Sequence, residues 1–253
     1  MTTNRPGSAG ELDDKVVLIT GAARRIGAQT ARTLHRHGAR IAIHYRSSSA
    51  DAEALAGELN GARADSANPV QADLLDTGAL PGLVMQSIEA FGRLDVLVNN
   101  ASSFYPTPVG TIDEKAWTDL VGTNLKAPLF LAQAAAPALA RSRGCIVNIV
   151  DIHAFKALAG HPVYCVAKAG LAMLTRALAV ELGPEVRVNG VAPGNILWPE
   201  RSLSEDEKQA ILDGSTLKRQ GTPADIAGAV LYLVRDAAYV SGQVLPVDGG
   251  ITA

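Results

Sequence analysis

The sequence predicts an α/β fold in which helices flank both faces of one doubly wound parallel sheet. Two observations support this prediction: short β-branched, apolar runs recur along the chain, and longer amphipathic or Ala-rich segments separate them. Such strand and helix alternation is typical of parallel sheets. The expected strands are 15–20, 40–44, 69–72, 94–98, 145–150, 187–190 and 243–247. The expected helices are 26–37, 50–59, 78–91, 113–139, 163–182 and 223–234.

Length and composition indicate one domain that acts on small molecules. The 253 residues, 47% of them hydrophobic, suit a single domain over 15–253, and the polar residues 1–14 predict a flexible N-terminal tail. A net charge of -2 with mixed signs argues against nucleic acid or a membrane as a partner. Cys145 and Cys165 lack Cys-x-x-Cys spacing, which favours reduced thiols in a cytoplasmic protein.

The segment TGAARRIG, residues 20–27, directly follows the first expected strand and opens the first helix. This is the context of a dinucleotide-binding turn in a Rossmann-type domain. Gly21 permits the tight turn, Gly27 permits close helix packing, and the helix N-terminus at Ile26 favours a pyrophosphate. Arg25 occupies the position of the usual middle glycine and follows Arg24. The two guanidinium groups are expected beside the phosphates, or one of them in the substrate site.

The end of the second strand predicts the form of the cofactor. Tyr45, Arg46 and Ser47 stand where an acidic residue would bind the ribose 2′-hydroxyl of NAD. Arg46 with Ser47 suits a 2′-phosphate instead, so we expect NADPH. The serines at 47–49 also suit a turn and helix N-cap, which is compatible with phosphate binding. Asp73, after the third strand, is a candidate partner for adenine or a solvated loop residue.

A Tyr-x-x-x-Lys pair, Tyr164 and Lys168, follows Asp151 in the segment NIVDIHAFKALAGHPVYCVAKAG. Residues four apart share a helix face, so we expect the Lys168 ammonium to lower the pKa of the Tyr164 phenol. Asp151 stands where a hydroxyl is expected; a carboxylate there repels a developing alkoxide and favours proton delivery to nitrogen. Alternatively, Tyr164 is a half-buried helix residue, Lys168 is solvated and Asp151 forms a turn.

Further motifs resemble the short-chain dehydrogenase/reductase family across nearly the whole chain. They are Asn99-Asn100-Ala101 after the fourth strand, Asn124 in the next helix, Pro193-Gly194 and the closing Val247-Asp248-Gly249-Gly250, together with the glycine turn and the Tyr164 and Lys168 pair. The resemblance implies that Tyr164 donates a proton, that Lys168 binds the nicotinamide ribose and that Asn124 holds a relay water. It also implies cofactor contacts at Asn100, Ala101, Pro193 and Gly194, and a homotetramer.

Finer motifs resemble the pteridine reductase branch: TGAARRIG, HYRSS, NNASSFYPTP, the aspartate of NIVD and NILWPE. This resemblance implies NADPH-dependent hydride transfer to the C=N bond of a dihydropteridine, such as dihydrobiopterin, dihydromonapterin or dihydrofolate. It implies that Arg25 touches cofactor phosphate and pterin, that Ser102 contacts the cofactor, and that Phe104 stacks on the pterin. Asp151, Tyr164 and Lys168 are then the catalytic set.

Other residues near the expected site, and the function itself, allow more than one interpretation. Phe104 follows NNASS in a loop, which favours a pocket wall over a core aromatic, and Trp198 is expected at the pocket mouth. His153 and His161 are interpreted as solvated, and no metal site is expected. Substrate selectivity is assigned to a loop near 195–217. The rival functions are a carbonyl reductase of 3-oxoacyl or sugar ketones, and a catalytically silent NADP-sensing protein.

Overall fold

A seven-stranded parallel sheet forms the centre of the molecule, as the sequence predicts. The computed structural model describes residues 12–198 and 204–253. The strand order is β3-β2-β1-β4-β5-β6-β7, and every neighbouring pair is parallel. The strands are β1 Val16–Ile19, β2 Arg40–Tyr45, β3 Ala67–Gln71, β4 Val96–Asn99, β5 Cys145–Ile149, β6 Arg187–Pro193 and β7 Val244–Val247.

Helices cover both faces of the sheet because strand residues point alternately to opposite sides. Val17 and Ile19 of β1 belong to one apolar cluster, whereas Val16 and Leu18 belong to the other. Helices α1, α2 and α8 bury side chains in the first cluster, and α3 and α5 in the second. The helices are α1 Arg25–Arg36, α2 Ser49–Ala62, α3 Leu80–Phe91, α4 Glu114–Val121, α5 Ala127–Ser142, α6 Pro162–Leu182, α7 Glu205–Asp213 and α8 Pro223–Arg235.

The strand order reverses between β1 and β4. From β1 the chain moves outward to β2 and β3, then returns to place β4 on the other side of β1. In doubly wound sheets such a reversal opens a crevice at the carboxyl ends of the strands, and ligands bind there. The loops after β1 and β4 therefore border the expected site.

Two elements differ from the predicted helices. The helix expected over 113–139 is divided into α4 and α5 by a π-helical turn at Gly122–Lys126, which contains Asn124. The available signals were Gly122 and Pro128, which lie on either side of this turn. The expected substrate loop over 195–217 contains helix α7, which the prediction missed because none of its side chains is buried. Its capping box, Ser204 with Glu207, was the available signal.

Within the tail expected over 1–14, Leu12 already packs against the rest of the domain. Leu12 is buried, and its N–H donates to the carbonyl of His37 at 2.8 Å. The flexible tail over 1–14 stays a prediction, and within it Leu12 is the residue that contacts the domain. Residues 1–11 lie outside the described part of the chain.

Helix α6 has the length and apolar character of a membrane span. It has 21 residues and a mean hydropathy of 1.5. Buried helices of globular domains have the same properties, and the buried side chains of α6 include the polar Tyr164, Lys168 and Thr175. We describe α6 as a core helix packed along β6.

Candidate active site

Hydrogen bonds tie the ends of β1 and β4 together at the crevice. The Thr20 hydroxyl oxygen accepts the N–H groups of Asn100 and Ala101 at 2.9 and 3.0 Å. The Asn100 side-chain amide donates to the carbonyls of Thr20 and Gly21 at 2.8 and 3.0 Å. The cross-strand contacts thus fix the loop after β4 against the glycine turn.

The glycine turn leaves no room for side chains at two positions. Gly21 has φ +60°, and a Cβ on it would lie 3.0 Å from Ala101 Cα. A Cβ on Gly27 would lie 2.4 Å from the Gly21 carbonyl oxygen. Helix α1 begins at Arg25 without a side-chain cap, so its N-terminus is suited to an anion. Arg25 itself has φ 54°, a region that favours glycine.

The residues expected around the adenosine end lie at the ends of β2 and β3. Arg46 and Ser47 are exposed directly after β2, and Tyr45 is half-buried. Asp73 is exposed, and its carboxylate accepts the Leu75 N–H at 3.0 Å. Arg24 donates to Asp51 of α2 at 2.7 Å, so its guanidinium is paired away from the turn. Its phosphate contact stays a prediction.

A buried histidine beneath this region was missed by the sequence analysis. His44 Nδ1 accepts the Gly21 N–H at 3.0 Å, and Nε2 lies 3.1 Å from the Ala72 carbonyl oxygen. Burial lowers the pKa of His44 to about 4, although the Ala72 carbonyl and Asp73 oppose this shift. The available signal was a histidine within an otherwise apolar strand.

Asp151 and Tyr164 are in direct contact, as the sequence suggested. The Tyr164 hydroxyl donates to Asp151 Oδ2 at 2.7 Å. Asp151 Oδ1 accepts the His153 N–H at 2.8 Å and caps a short 3₁₀ turn, Ile152–Ala154. Asp151 is therefore both a turn former and a partner of the tyrosine, with one oxygen for each role.

The predicted lowering of the Tyr164 pKa by Lys168 does not agree with the structure. The pKa of Tyr164 is raised well above 10.0 by burial and by the neighbouring Asp151 carboxylate, which accepts a hydrogen bond from the phenol. Lys168 Nζ donates to the Ile149 carbonyl at 2.9 Å and lies 5.7 Å from the centre of the Tyr164 ring. Burial lowers the pKa of Lys168 to about 8, opposed by Asp151. Lys168 is thus buried, in contrast to the solvated alternative.

Asn124 connects the π-helical turn to the loop after β4. Its side-chain oxygen accepts the Ser102 hydroxyl at 2.6 Å. Its side-chain nitrogen donates to the carbonyls of Ser103 and Leu120, each at 2.9 Å. The amide is buried, so its contacts position the loop segment that carries Ser102 and Phe104. The proposed relay water at Asn124 stays a prediction.

Phe104 lies in the site and not in the core. It is 53% exposed, and its ring meets the Tyr164 ring edge to face, with centroids 4.8 Å apart and planes at 77°. The His161 ring stacks on Phe104 at 4.8 Å with planes 9° apart. His161, interpreted from sequence as a solvated loop residue, therefore supports the aromatic wall.

The segment that follows β6 forms the other side of the crevice. The Gly194 N–H donates to the Val247 carbonyl at 3.0 Å, and a Cβ on Gly194 would lie 2.7 Å from Asp248 Cα. Pro193 is buried, and Trp198 is half-buried at the end of the described segment. The expected loop residues 199–203 lie outside the described residues. Over 12–198 and 204–253, no group of three His, Cys, Asp or Glu side chains is arranged to bind a metal.

Comparisons with known proteins agree with this architecture. A family model described as enoyl-(acyl carrier protein) reductase matches residues 21–252. Pteridine reductase 1 of Leishmania tarentolae is 37% identical over 93% of this chain and 95% of its own. A 3-oxoacyl-(acyl-carrier-protein) reductase of Staphylococcus aureus is 35% identical over 94% and 98%. A blue fluorescent protein from a metagenomic library, solved with NADPH, is 35% identical with a TM-score of 0.90 over 96% and 100%.

Proposed function

The chain belongs to the short-chain dehydrogenase/reductase family, and we propose that it is an NADPH-dependent pteridine reductase. The proposed reaction transfers hydride to the C=N bond of a dihydropteridine and protonates the ring nitrogen. The observation that carries the proposal is the 2.7 Å hydrogen bond between Tyr164 and Asp151. A carboxyl group stands beside the tyrosine, where ketone chemistry needs a neutral hydroxyl.

The carboxyl group favours nitrogen over a ketone oxygen as the proton acceptor. A developing alkoxide next to Asp151 would be repelled by a carboxylate, so reduction of a ketone is disfavoured. Protonation of a ring nitrogen needs a nearby acid, and the Asp151 and Tyr164 pair holds a proton between two oxygens. Lys168 lies under this pair and supplies positive charge near it.

The residues at the crevice fit NADPH. Gly21 and Gly27 let the turn pack closely against its own backbone and against Ala101, and the uncapped start of α1 beside it suits a pyrophosphate. Arg46 and Ser47 would hold the 2′-phosphate, and Asp73 the adenine. Lys168 Nζ is buried with one of its three donors on Ile149, which leaves donors for ribose hydroxyls. When bound, NADPH supplies the hydride.

The substrate wall suits a flat ring. Phe104 is half-exposed and its ring is held by His161 and Tyr164, so an aromatic heterocycle would stack beside the proton donors. Arg25 and Ser102 are the proposed partners for its polar edge, with Trp198 at the mouth. The 3-oxoacyl or sugar ketones of the rival interpretation have no flat aromatic face that would use this wall.

The principal alternative is a carbonyl reductase. The pteridine reductase and the 3-oxoacyl reductase relatives are 37% and 35% identical to the chain, so overall identity favours neither strongly. Asp151 is the residue that argues against a ketone substrate. A catalytically silent NADP-sensing protein is opposed by the presence of Asn124, Tyr164 and Lys168 together.

The direct test is NADPH oxidation against a panel of substrates. The panel contains dihydrobiopterin, dihydromonapterin, dihydrofolate, a 3-oxoacyl thioester and a sugar ketone. We expect turnover with at least one dihydropteridine and little with either ketone. Ketone turnover that exceeds pterin turnover would establish the carbonyl reductase instead.

Two variants of Asp151 test its role in that reaction. Asp151→Ser and Asp151→Asn both keep a group able to cap the following turn. Each is expected to lower dihydropterin turnover by roughly 10²–10⁴-fold, the loss typical of a general acid. NADPH affinity should be nearly unchanged. Wild-type turnover in both folded variants would reduce Asp151 to a turn residue.

The same family membership leads us to propose a cytoplasmic homotetramer. Val166, Met173 and Val180 are exposed on α6 at seven-residue spacing, which places them in one apolar row along the helix. Such a row suits contact with a second copy. Light scattering of the wild type and of Met173→Lys tests it, because a charge in the row should weaken assembly.

A further inference from the structure

The glycine turn and the loop after β3 are joined by one buried side chain. His44 lies in β2 and is 2% exposed. Its Nδ1 accepts the Gly21 N–H at 3.0 Å, and its Nε2 contacts the Ala72 carbonyl at 3.1 Å. Its own carbonyl accepts the Ala22 N–H at 2.9 Å. The residue therefore touches the segments that follow β1 and β3 at the same time.

These contacts require a neutral ring with one defined tautomer. Nδ1 must carry a lone pair to accept from Gly21, and Nε2 must carry the proton that is donated to Ala72. Burial holds the pKa of His44 at about 4, which keeps the ring neutral at physiological pH. Asp73 is the neighbouring charge that opposes this shift. A phenylalanine of similar shape would leave both backbone groups unpaired.

We infer that His44 is a positioning residue that holds the pyrophosphate turn and the adenine loop at the separation the cofactor needs. The inference rests on the proposed use of NADPH. Gly21 lies in the turn, and Asp73 directly follows Ala72. The two ends of the hydrogen-bonded bridge thus carry the residues assigned to two different parts of one dinucleotide.

A distinctive consequence concerns selectivity between nucleotides. The pyrophosphate and adenine are common to NADPH and NADH, whereas the 2′-phosphate assigned to Arg46 and Ser47 is not. Loss of the His44 bridge should therefore weaken the binding of NADPH and of NADH by a similar factor. Arg46→Ala should weaken the binding of NADPH and leave the binding of NADH unchanged.

The chain offers a matched control in His35. This histidine is also buried, its pKa is also lowered by burial, and its Nε2 lies 2.7 Å from the Ser66 hydroxyl. It belongs to the last turn of α1, far along the helix from Gly21. A histidine that only fills the core should behave like His35.

The experiment measures NADPH and NADH dissociation constants by fluorescence titration without a second substrate. The proteins are the wild type, His44→Phe, His44→Asn, His44→Gln and His35→Phe, each checked by circular dichroism and urea unfolding. Asn places its oxygen near the position of Nδ1, whereas Gln places its amide nitrogen near that of Nε2. Asn thus retains the contact with Gly21, and Gln retains the contact with Ala72.

We expect His44→Phe to raise both dissociation constants by roughly 10–100-fold, the effect of leaving buried groups unpaired. The NADPH to NADH ratio should stay within about twofold, because the 2′-phosphate contacts persist. His44→Asn and His44→Gln each break one end of the bridge, so both should also weaken the binding of NADPH and NADH together, and they provide the test if His44→Phe does not fold. His35→Phe should lose stability but bind both nucleotides like the wild type.

Three results with the variants would overturn the inference alone: wild-type binding by folded His44→Asn or His44→Gln, loss of NADPH binding alone, or an equal loss in His35→Phe. A wild type that binds neither nucleotide would overturn the proposed function and the inference together. A wild type that binds NADPH but reduces no dihydropterin removes the pterin assignment only. The comparison of His44 variants keeps its meaning in that case.

Discussion

His44 and Lys168 are two basic side chains buried to the same degree at the same edge of the sheet, and burial affects their charge differently. Each is 2% exposed. Burial lowers the pKa of His44 from 6.5 to about 4 and that of Lys168 from 10.5 to about 8. At neutral pH the imidazole is therefore neutral and the lysine remains mainly cationic.

The difference separates a structural side chain from one in the proposed active site. Both ring nitrogens of His44 are used by backbone groups, so the side chain organises the turn and offers nothing to a ligand. Lys168 uses one donor on Ile149 and keeps its charge within 5.7 Å of the Tyr164 ring. Burial therefore keeps His44 neutral and hydrogen-bonded at the glycine turn, whereas Lys168 remains mainly charged beside the Tyr164 ring.

The largest effect is expected from removing the buried charge. Lys168→Met should lower turnover by roughly 10²-fold or more, because positive charge near the reacting atoms is lost. The same change should raise the free energy of unfolding at pH 7 by about 1–3 kcal/mol, since the buried ammonium is costly. Urea unfolding and steady-state kinetics measure the two effects.

The pH dependence of the free energy of unfolding provides a second test of the buried Lys168 charge. Lys168 has a lowered folded pKa, so its cost is full below pH 8 and disappears as the pH rises from about 8 to 10.5. The stability advantage of Lys168→Met should shrink over that range. Lys126→Met, at an exposed position, should change stability by no more than about 0.5 kcal/mol. A constant advantage at all pH values would contradict a buried charge.

His44, at the glycine turn, should make the stability of the protein depend on pH in the acid range. The neutral His44 contributes stability that is full above pH 6.5 and is lost as the pH falls from 6.5 to about 4. The loss amounts to about 3 kcal/mol at ~1.4 kcal/mol per pKa unit. The difference in unfolding free energy between wild type and His44→Phe should shrink accordingly. Parallel stability curves of the two proteins would show that His44 titrates normally.

Phe104→Ala tests the aromatic wall at the catalytic end. We expect pterin binding to weaken by about 1–3 kcal/mol, the scale of a lost aromatic face, and NADPH binding to change little. Separate titrations of pterin and cofactor measure both. Tyr239→Ala removes a fully exposed aromatic ring and should affect neither ligand. Equal losses for pterin and cofactor in Phe104→Ala would indicate a structural role.

The smallest effect is expected at the strained start of α1. Arg25→Gly should relieve a left-handed backbone at φ 54° and stabilise the protein by about 0.5–1 kcal/mol. Asp65 has the same φ in an exposed turn, so Asp65→Gly should stabilise similarly. Ligand binding should weaken only in Arg25→Gly. Unchanged nucleotide and pterin affinity there would remove Arg25 from both proposed roles.

The sequence predicted the repeating elements because their signals are local. The strand at 15–20 and the glycine turn after it depend on neighbouring residues and on a fixed order of elements. The helix carrying Tyr164 and Lys168 was predicted from its amphipathic or Ala-rich pattern, and the spacing of four placed the two side chains on one face. The exposed helix α7 was missed because it buries no side chain. The π-helical turn around Asn124 was missed because Gly122 and Pro128 were not interpreted as a break in the helix.

By itself the sequence determined the parallel sheet, the position of the nucleotide turn and the membership of Asp151, Tyr164 and Lys168 in one site. Only the tertiary structure decided what these groups do to one another. Lys168 donates to Ile149, Tyr164 donates to Asp151, and the pKa of the phenol rises instead of falling. Spacing along a helix places side chains on a common face, but burial and contacts with distant strands set their charges and hydrogen bonds. His44 shows the same rule, because its partners Gly21 and Ala72 come from two other strand ends.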